Sequence, residues 1–270
     1  MSQLTEIIQK RFDGFLHTNS LWKNNTFYGL KQFHLKQKYI KFNTAINEKL
    51  RLGKYVERFV SYQLEQDNSI EIIAENVQIQ KEKRTLGEID CILLKHKKPI
   101  HLEIVYKFYL YDDSIGITEV DHFIGPNRKD TLLEKLQKLK TKQLPLLFSK
   151  ACESYLESLA IDSSLITQEV YFKAQIFIPF NKKHLKLKTL NGDCISGFYI
   201  HQKELTLFVD CKFYIPIKKD WLLQPHTNVN WLNYDTFLSE CTVYMNRNFS
   251  PMVWIKSSKG ELHKYFVVWW

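Results

Sequence analysis

The stretch GEIDCILLKHKKPIHLEIVYKFY, residues 87–109, decides the fold, because it holds two strand-like runs around a short polar turn. With the turn centred between His96 and Lys97, facing residues have numbers that add up to 193, so Asp90 lies opposite Glu103. Side chains alternate between the two faces of a strand. The charged face therefore contains Glu88, Asp90, His101, Glu103 and Lys107.

The two facing acids predict a cation site. Two carboxylates opposite one another repel, so the pairing costs stability unless a cation or a proton lies between them. Mg²⁺ prefers oxygen ligands and often takes only one or two carboxylates, so we predict that Asp90 and Glu103 bind Mg²⁺ or Mn²⁺. Lys107, on the same face, is predicted to stabilise developing charge or to orient an attacking water.

Upstream of the hairpin, the pattern predicts a helix over 43–65 and a strand over 70–80. The apolar stripe of that helix contains Ile46, Leu50, Val60 and Leu64. Glu57 lies in this stripe, where an apolar side chain is expected, which makes it a third candidate site acid. An ordinary ion pair with Lys54 or Arg58 is the structural alternative for Glu57.

Downstream of the predicted strands 85–95 and 99–110, Asn127 is a candidate cap for a helix over 128–143. A basic stripe of this helix, which we predict to contact a phosphate backbone, contains Arg128, Lys135, Lys138 and Lys142. A solvated helix face is the alternative. The remaining pattern predicts helices over 3–17, 147–160 and near 234–247, and strands over 169–180, 195–200, 205–217, 251–256 and 263–270.

Composition sets the class of protein. The chain has 270 residues, 44% of them hydrophobic, and a formal net charge of +9, which favours an anionic partner. Its five cysteines are dispersed and include no C-x-x-C pair, so we expect reduced thiols and a cytoplasmic location. No apolar run reaches the length of a signal peptide or a membrane span, so no membrane association is expected.

These residues resemble the PD-(D/E)XK nuclease superfamily, with Asp90 and Glu103 matching its motif acids and Glu57 its upstream helix acid. The runs LGKYVERF, TLGEID, HLEIVYKFYL, IGPNRKD and IPIKKDWLLQP resemble, more narrowly, the bacterial domain-of-unknown-function family 1853. The resemblance implies an α/β fold: a restriction-endonuclease-like core (helix, three-stranded antiparallel meander, helix, strand) with a strand-rich C-terminal extension. One departure stands out, because the superfamily lysine belongs two residues after the glutamate, where this chain has Val105.

The implied organisation is a helical segment at 1–42, the core at 43–180 and a strand-rich part at 181–270, which is either separate from the core or one continuous domain with it. The implied activity is Mg²⁺-dependent hydrolysis of nucleic acid, with DNA the favoured form and Glu57, Asp90, Glu103 and Lys107 as catalytic residues. Two alternatives are a catalytically weakened nucleic-acid-binding module, suggested by Val105, and a protein-interaction domain. The sequence leaves the oligomeric state open.

Overall fold

A computed structural model describes residues 3–36 and 39–270. Over these residues the chain is mixed α/β, with a large mixed sheet and six α-helices. The helices are α1 (Gln3–His17), α2 (Leu52–Glu65), α3 (Leu132–Lys138), α4 (Leu144–Leu146), α5 (Lys150–Ser158) and α6 (Tyr234–Met245). The strands are β1 (Thr26–Phe27), β2 (Leu30–Lys31), β3 (Ile70–Lys81), β4 (Arg84–Lys95), β5 (Lys98–Tyr111), β6 (Phe123–Ile124), β7 (Thr167–Pro179), β8 (Ile195–His201), β9 (Lys212–Tyr214), β10 (Met252–Lys256) and β11 (Leu262–Val268).

The chain divides into two compact units. The hairpin unit comprises residues 22–106 and 134–173, and the C-terminal unit comprises residues up to Leu21, 107–133 and 174–270. The sequence-based division at residues 42 and 180 stays a prediction. No helix within 3–36 and 39–270 has both the length and the apolar character needed to cross a bilayer.

In the hairpin unit, β3, β4 and β5 form an antiparallel meander. The predicted register is confirmed, because Cys91 faces Leu102 and Lys95 faces Lys98. His96 and Lys97 have φ angles of 51° and 63°, the left-handed values that a two-residue hairpin turn requires at both central positions. The meander therefore follows from the alternation and from a turn of fixed length.

A helix covers one side of this meander. Cys152 and Leu156, one turn apart on α5, pack with Leu147 against Ile79 of β3 and Ile89 of β4. All five side chains are buried, and burial of their apolar surface stabilises the packing of α5 on the meander. α5 is shorter at both ends than the predicted 147–160.

The predicted helix over 43–65 is wrong in its first part, because α2 begins at Leu52. Asn47 accepts a hydrogen bond from Lys49 N through its side chain and from Leu50 N through its carbonyl. Such a local turn competes with helix formation, which is why the apolar spacing at Ile46 and Leu50 was misleading.

The predicted helix over 128–143 also starts late, at Leu132. Arg128 has a φ of 54°, outside the helical region, and Asn127 Oδ1 accepts a hydrogen bond from Ser250 N instead of capping a helix. The helix then widens into a π-helical turn over Leu139–Gln143. Pro145 follows Leu144. Proline has no N–H to donate, and in a regular α-helix its ring would clash with the carbonyl four residues earlier, which favours the wider turn here.

In the C-terminal unit, β7, β8 and β11 run parallel to one another, and β10 lies antiparallel between β11 and β9. The predicted helix near 234–247 and the strands at 195–200, 251–256 and 263–270 are confirmed within a few residues. The strand predicted over 205–217 is wrong: Gln202–Phe208 forms a 3₁₀-helix, and only 212–214 pairs as a strand. Leu205 and Phe208 of that helix are still buried in the core. The apolar pattern thus correctly indicated that these residues are buried, but it did not distinguish a helix from a strand.

Candidate functional site

The two predicted site acids lie where β4 and β5 begin to separate. The paired register of these strands ends at Cys91 and Leu102, one position before Asp90 and Glu103. Beyond it, Ile104 N donates a 2.9 Å hydrogen bond to Asp90 Oδ2, so the carboxylate replaces a backbone acceptor. Both acids thus lie just beyond the last paired residues of the hairpin.

Burial and like charge act together on this pair. Glu103 has no exposed surface. The pKa of Asp90 is raised to about 7, first by burial and second by the neighbouring charge of Glu103, and the hydrogen bond from Ile104 only partly opposes the shift. Glu57 adds a smaller repulsion to Asp90 in the same direction. The three predicted acids are therefore electrostatically coupled within one unit.

A chain of buried polar side chains holds Glu103. Glu103 Oε1 lies 3.2 Å from His101 Nε2, and Oε2 accepts a short hydrogen bond from Gln143 Nε2. On the far side of the imidazole, Gln168 Nε2 donates to His101 Nδ1 at 2.9 Å and to Leu144 O at 2.6 Å. Donation to Nδ1 leaves the proton of a neutral imidazole on Nε2, pointing at Glu103.

The π-helical turn sets the position of Gln143. Its defining bond runs from Leu144 N to Leu139 O, five residues back. Lys135 Nζ donates to Gln143 Oε1 at 2.7 Å, which fixes the amide with its nitrogen toward Glu103. Sequence reasoning missed both Gln143 and Gln168, and the only available signal was a glutamine two residues before Pro145 at a helix end.

Glu57 projects from α2 next to Lys54, one turn earlier on the same helix face. Lys54 Nζ donates to Glu57 Oε2 at 2.8 Å and also bonds Glu88 Oε1 of β4. Burial raises the pKa of Glu57, and the hydrogen bond from Lys54 partly opposes this. Burial also acts to lower the pKa of Lys54, but its bonds to both acids outweigh burial and raise it. The ion pair considered as the structural alternative for Glu57 is thus present.

Lys107 belongs to the C-terminal unit, and its ammonium is engaged there. Lys107 Nζ donates to Asp130 Oδ2 at 2.5 Å, with both side chains partly exposed. At the usual lysine position of the resembling superfamily, Val105 of the hairpin unit is buried, with 4% of its surface exposed.

The predicted basic stripe of four residues is wrong as a single helix face. Arg128 lies outside the helix, in the C-terminal unit, where its guanidinium bonds Asp112 at 2.6 Å and stacks 3.9 Å from the ring of Trp270. Lys135 is partly buried against Gln143. Lys138 and Lys142 are exposed, and no described residue pairs with either ammonium.

The donor chemistry of the acidic pair fits a hard divalent cation. Asp90 Oδ1 makes no hydrogen bond to any residue within 3–36 or 39–270, so one oxygen of the pair is open. A carboxylate pair with further positions left to water is a donor set that Mg²⁺ accepts. Among those same residues, no group of three or more His, Cys, Asp or Glu side chains is arranged to hold a metal ion. A site here would therefore use two carboxylates, not three.

Comparison with known proteins identifies the family. The profile described as "Domain of unknown function (DUF1853)" matches residues 16–268, nearly the whole chain. The chain belongs to the DUF1853 family. No curated protein and no solved structure matches it significantly.

Proposed function

We propose that this DUF1853 protein is a Mg²⁺-dependent phosphodiesterase that hydrolyses nucleic acid. The observation that supports it most is the pairing of half-buried Asp90 with fully buried Glu103, where burial and mutual repulsion raise the pKa of Asp90 to about 7. A structural ion pair would lower a carboxyl pKa, whereas a repelling pair is relieved by a bound cation.

The order of elements in the hairpin unit supports a restriction-endonuclease-like core. α2 with Glu57 is followed by the meander β3 to β5, then by α3 to α5, and then by the start of β7. In the resembling superfamily, the helix acid and the two hairpin acids come from the same three elements. The proposed fold therefore places the acids by topology as well as by spacing.

In this proposal, Asp90 and Glu103 hold the cation, which when bound supplies charge stabilisation and a more acidic water. Ile104 N fixes one oxygen of Asp90 and leaves Oδ1 for the cation. Gln143 and His101 hold Glu103 in a single orientation, so little rearrangement is needed on binding. Glu57 assists from α2 only through the long-range effect of its charge on Asp90 and does not bind the cation.

Nucleic acid is the proposed substrate because the chain carries a formal charge of +9 and exposed lysines lie in the same unit as the acids. Lys138 and Lys142, on the helix that delivers Gln143 to Glu103, are the residues we propose to contact phosphates. Arg128 and Lys135 are less suited to this role, because Asp112 and Gln143 already engage them.

A catalytically weakened nucleic-acid-binding module is the second candidate, and one observation favours it. The superfamily lysine position is a buried valine, and the nearby candidate Lys107 is bound to Asp130. This module would bind nucleic acid with an association constant that falls as the salt concentration rises, and it would release no cleavage product.

The test is Mg²⁺-dependent cleavage of labelled DNA and RNA by the wild type, Asp90→Asn and Glu103→Gln. We expect each variant to lose at least about 100-fold in rate, because several kcal/mol of charge stabilisation is removed. Glu71→Gln is the matched control, since Glu71 lies exposed on β3 of the same unit and should leave the rate unchanged. Wild-type rates in both site variants, with folding verified by circular dichroism, would exclude the proposal.

A further inference from the structure

Lys54 lies in a corner of the hairpin unit lined by three oxygen atoms from three elements. Its Nζ donates to Glu57 Oε2 of α2 and to Asn76 Oδ1 of β3, each at 2.8 Å, and to Glu88 Oε1 of β4. Three oxygens around one positive charge form a small cation-binding corner, and here the cation is part of the chain.

The backbone places this corner beside Asp90. In the β3–β4 register, Glu75 faces Cys91 and Val77 faces Ile89, so the position opposite Asp90 is that of Asn76. Asn76 has a φ of 55°, a left-handed conformation that asparagine tolerates better than most residues. This local kink interrupts the pairing at Asn76 while its amide oxygen bonds Lys54.

The bonds of Lys54 divide four acids of the site region, Glu57, Glu88, Asp90 and Glu103, into two pairs. Glu57 and Glu88 share the lysine ammonium. Asp90 and Glu103 do not bond to it; their donors are a backbone N–H for Asp90, and an amide and an imidazole for Glu103. One pair therefore shares a counter-ion within the protein, and the other does not bond to it.

We propose that Lys54 is a built-in counter-ion that keeps Glu57 and Glu88 away from the metal and directs a divalent cation to Asp90 and Glu103. Lys54 is in this sense a positioning residue. It supplies positive charge to the acidic site from α2, whereas Val105 occupies the position on β5 where the resembling superfamily has its lysine. The inference rests on the proposed function, because it assigns a role at the same site.

Removing the charge of Lys54 should convert four acids with one internal cation into four acids without one. A divalent cation would then gain attraction from Glu57 and Glu88 as well. Charges a few ångströms apart near a protein surface interact strongly enough that we expect a gain of about tenfold in affinity.

The experiment is calorimetric titration of the full chain with Mn²⁺, for the wild type, Lys54→Gln and Lys98→Gln. Lys54→Gln keeps a hydrogen-bonding side chain but loses the charge, and we expect it to bind Mn²⁺ about tenfold more tightly or to take up an additional ion. Lys98→Gln is the matched control and should bind as the wild type does, because exposed Lys98 lies beside the hairpin turn, at the opposite end of the paired register from Asp90. Melting in chelator and in Mn²⁺ gives a second measurement, and only Lys54→Gln should be stabilised more than the wild type by the ion.

Unchanged or weaker Mn²⁺ binding by a folded Lys54→Gln would overturn the role of Lys54. If that variant does not fold, Glu88→Gln answers the same question. It removes one acid that Lys54 neutralises, so the surplus positive charge should weaken Mn²⁺ binding severalfold, and wild-type binding by Glu88→Gln would count against the proposal.

The two proposals fail in different ways. A wild type that cleaves no nucleic acid in Mg²⁺ contradicts the proposed function, whereas the gain of Mn²⁺ affinity in Lys54→Gln still supports the counter-ion.

Discussion

Asp90 of the hairpin unit and Lys264 of the C-terminal unit are both ionisable side chains that burial drives toward neutrality. The pKa of Asp90 is raised to about 7, and burial lowers the pKa of Lys264 to about 7. Their partners differ. Lys264 Nζ donates to Gln175 Oε1 and Trp221 O, each at 2.9 Å, and both acceptors are neutral.

The difference separates a buried group whose charge state the protein satisfies from one that it does not. Burial lowers the pKa of Lys264, and the two acceptors around it satisfy it as a hydrogen-bond donor. Asp90 has a second carboxylate beside it and an open oxygen, so protein groups alone do not relieve its charge. A buried group therefore indicates a ligand when its neighbours repel it, and not simply because its pKa is shifted.

The largest effect is expected for Lys264→Met. A lysine pKa of about 7 in the folded state, against 10.5 for an ordinary lysine, destabilises the fold fully below pH 7, and this cost disappears as pH rises toward 10.5. The unfolding free energy of Lys264→Met relative to that of the wild type should therefore fall by roughly 5 kcal/mol as the pH rises from 7 to 10.5. Denaturant titrations at about pH 6, 8 and 10 measure it. A difference in unfolding free energy that does not change with pH would show that the ammonium is stabilised after all.

A smaller effect of opposite sign is expected for Asp90→Asn. A carboxyl whose folded pKa is raised from 3.8 to about 7 loses stability as pH increases through that window, because the folded state holds the proton longer than the unfolded state. The wild type should fall by a few kcal/mol relative to Asp90→Asn between these values.

Added Mg²⁺ sharpens the comparison between the two residues. Mg²⁺ should prevent the loss of wild-type stability near pH 7 and should not change the stability of Asp90→Asn. It should also leave the pH dependence of stability that is due to Lys264 unchanged. Thermal melting with and without Mg²⁺ is the measurement, and equal stabilisation of the wild type and Asp90→Asn would remove the distinction between a satisfied and an unsatisfied buried charge.

The smallest effect is expected for Gln143→Leu. It removes the donor to Glu103 Oε2 and one acceptor of Lys135, which should lower the unfolding free energy by about 1–3 kcal/mol. It should also weaken Mg²⁺ binding, because Glu103 loses one of the two contacts that orient it. Gln137→Leu, on the exposed side of α3, is the control for a glutamine-to-leucine change in this helix. Equal stability of the two variants would argue that the Gln143 bond contributes nothing.

The hairpin was predictable because its information is local: alternation fixes the faces, and the turn at His96 and Lys97 fixes the register. The helix starts at 43 and 128 were not, because Asn47 makes a local turn and Arg128 adopts a left-handed conformation, and apolar spacing reports neither.

Of the site, the predicted acids could be placed relative to each other, since Asp90 and Glu103 lie on paired strands. The partners of Glu103 could not, because Gln143 and Gln168 come from distant parts of the chain and depend on how a helix packs on the sheet. The contact between Lys54 and Glu88 could not be predicted from the sequence either, because the two residues meet only in the folded chain.

The π-helical turn at Leu139–Gln143 makes the site sensitive to chain length as well as to side-chain identity. Each residue of an α-helix turns the next by about 100°, so deleting one residue from this turn would rotate α3 relative to α4. The amide that now meets Glu103 would be aimed elsewhere, although every side chain that forms the network would still be encoded. Insertions and deletions here would thus be a simpler route to losing the arrangement than substitution.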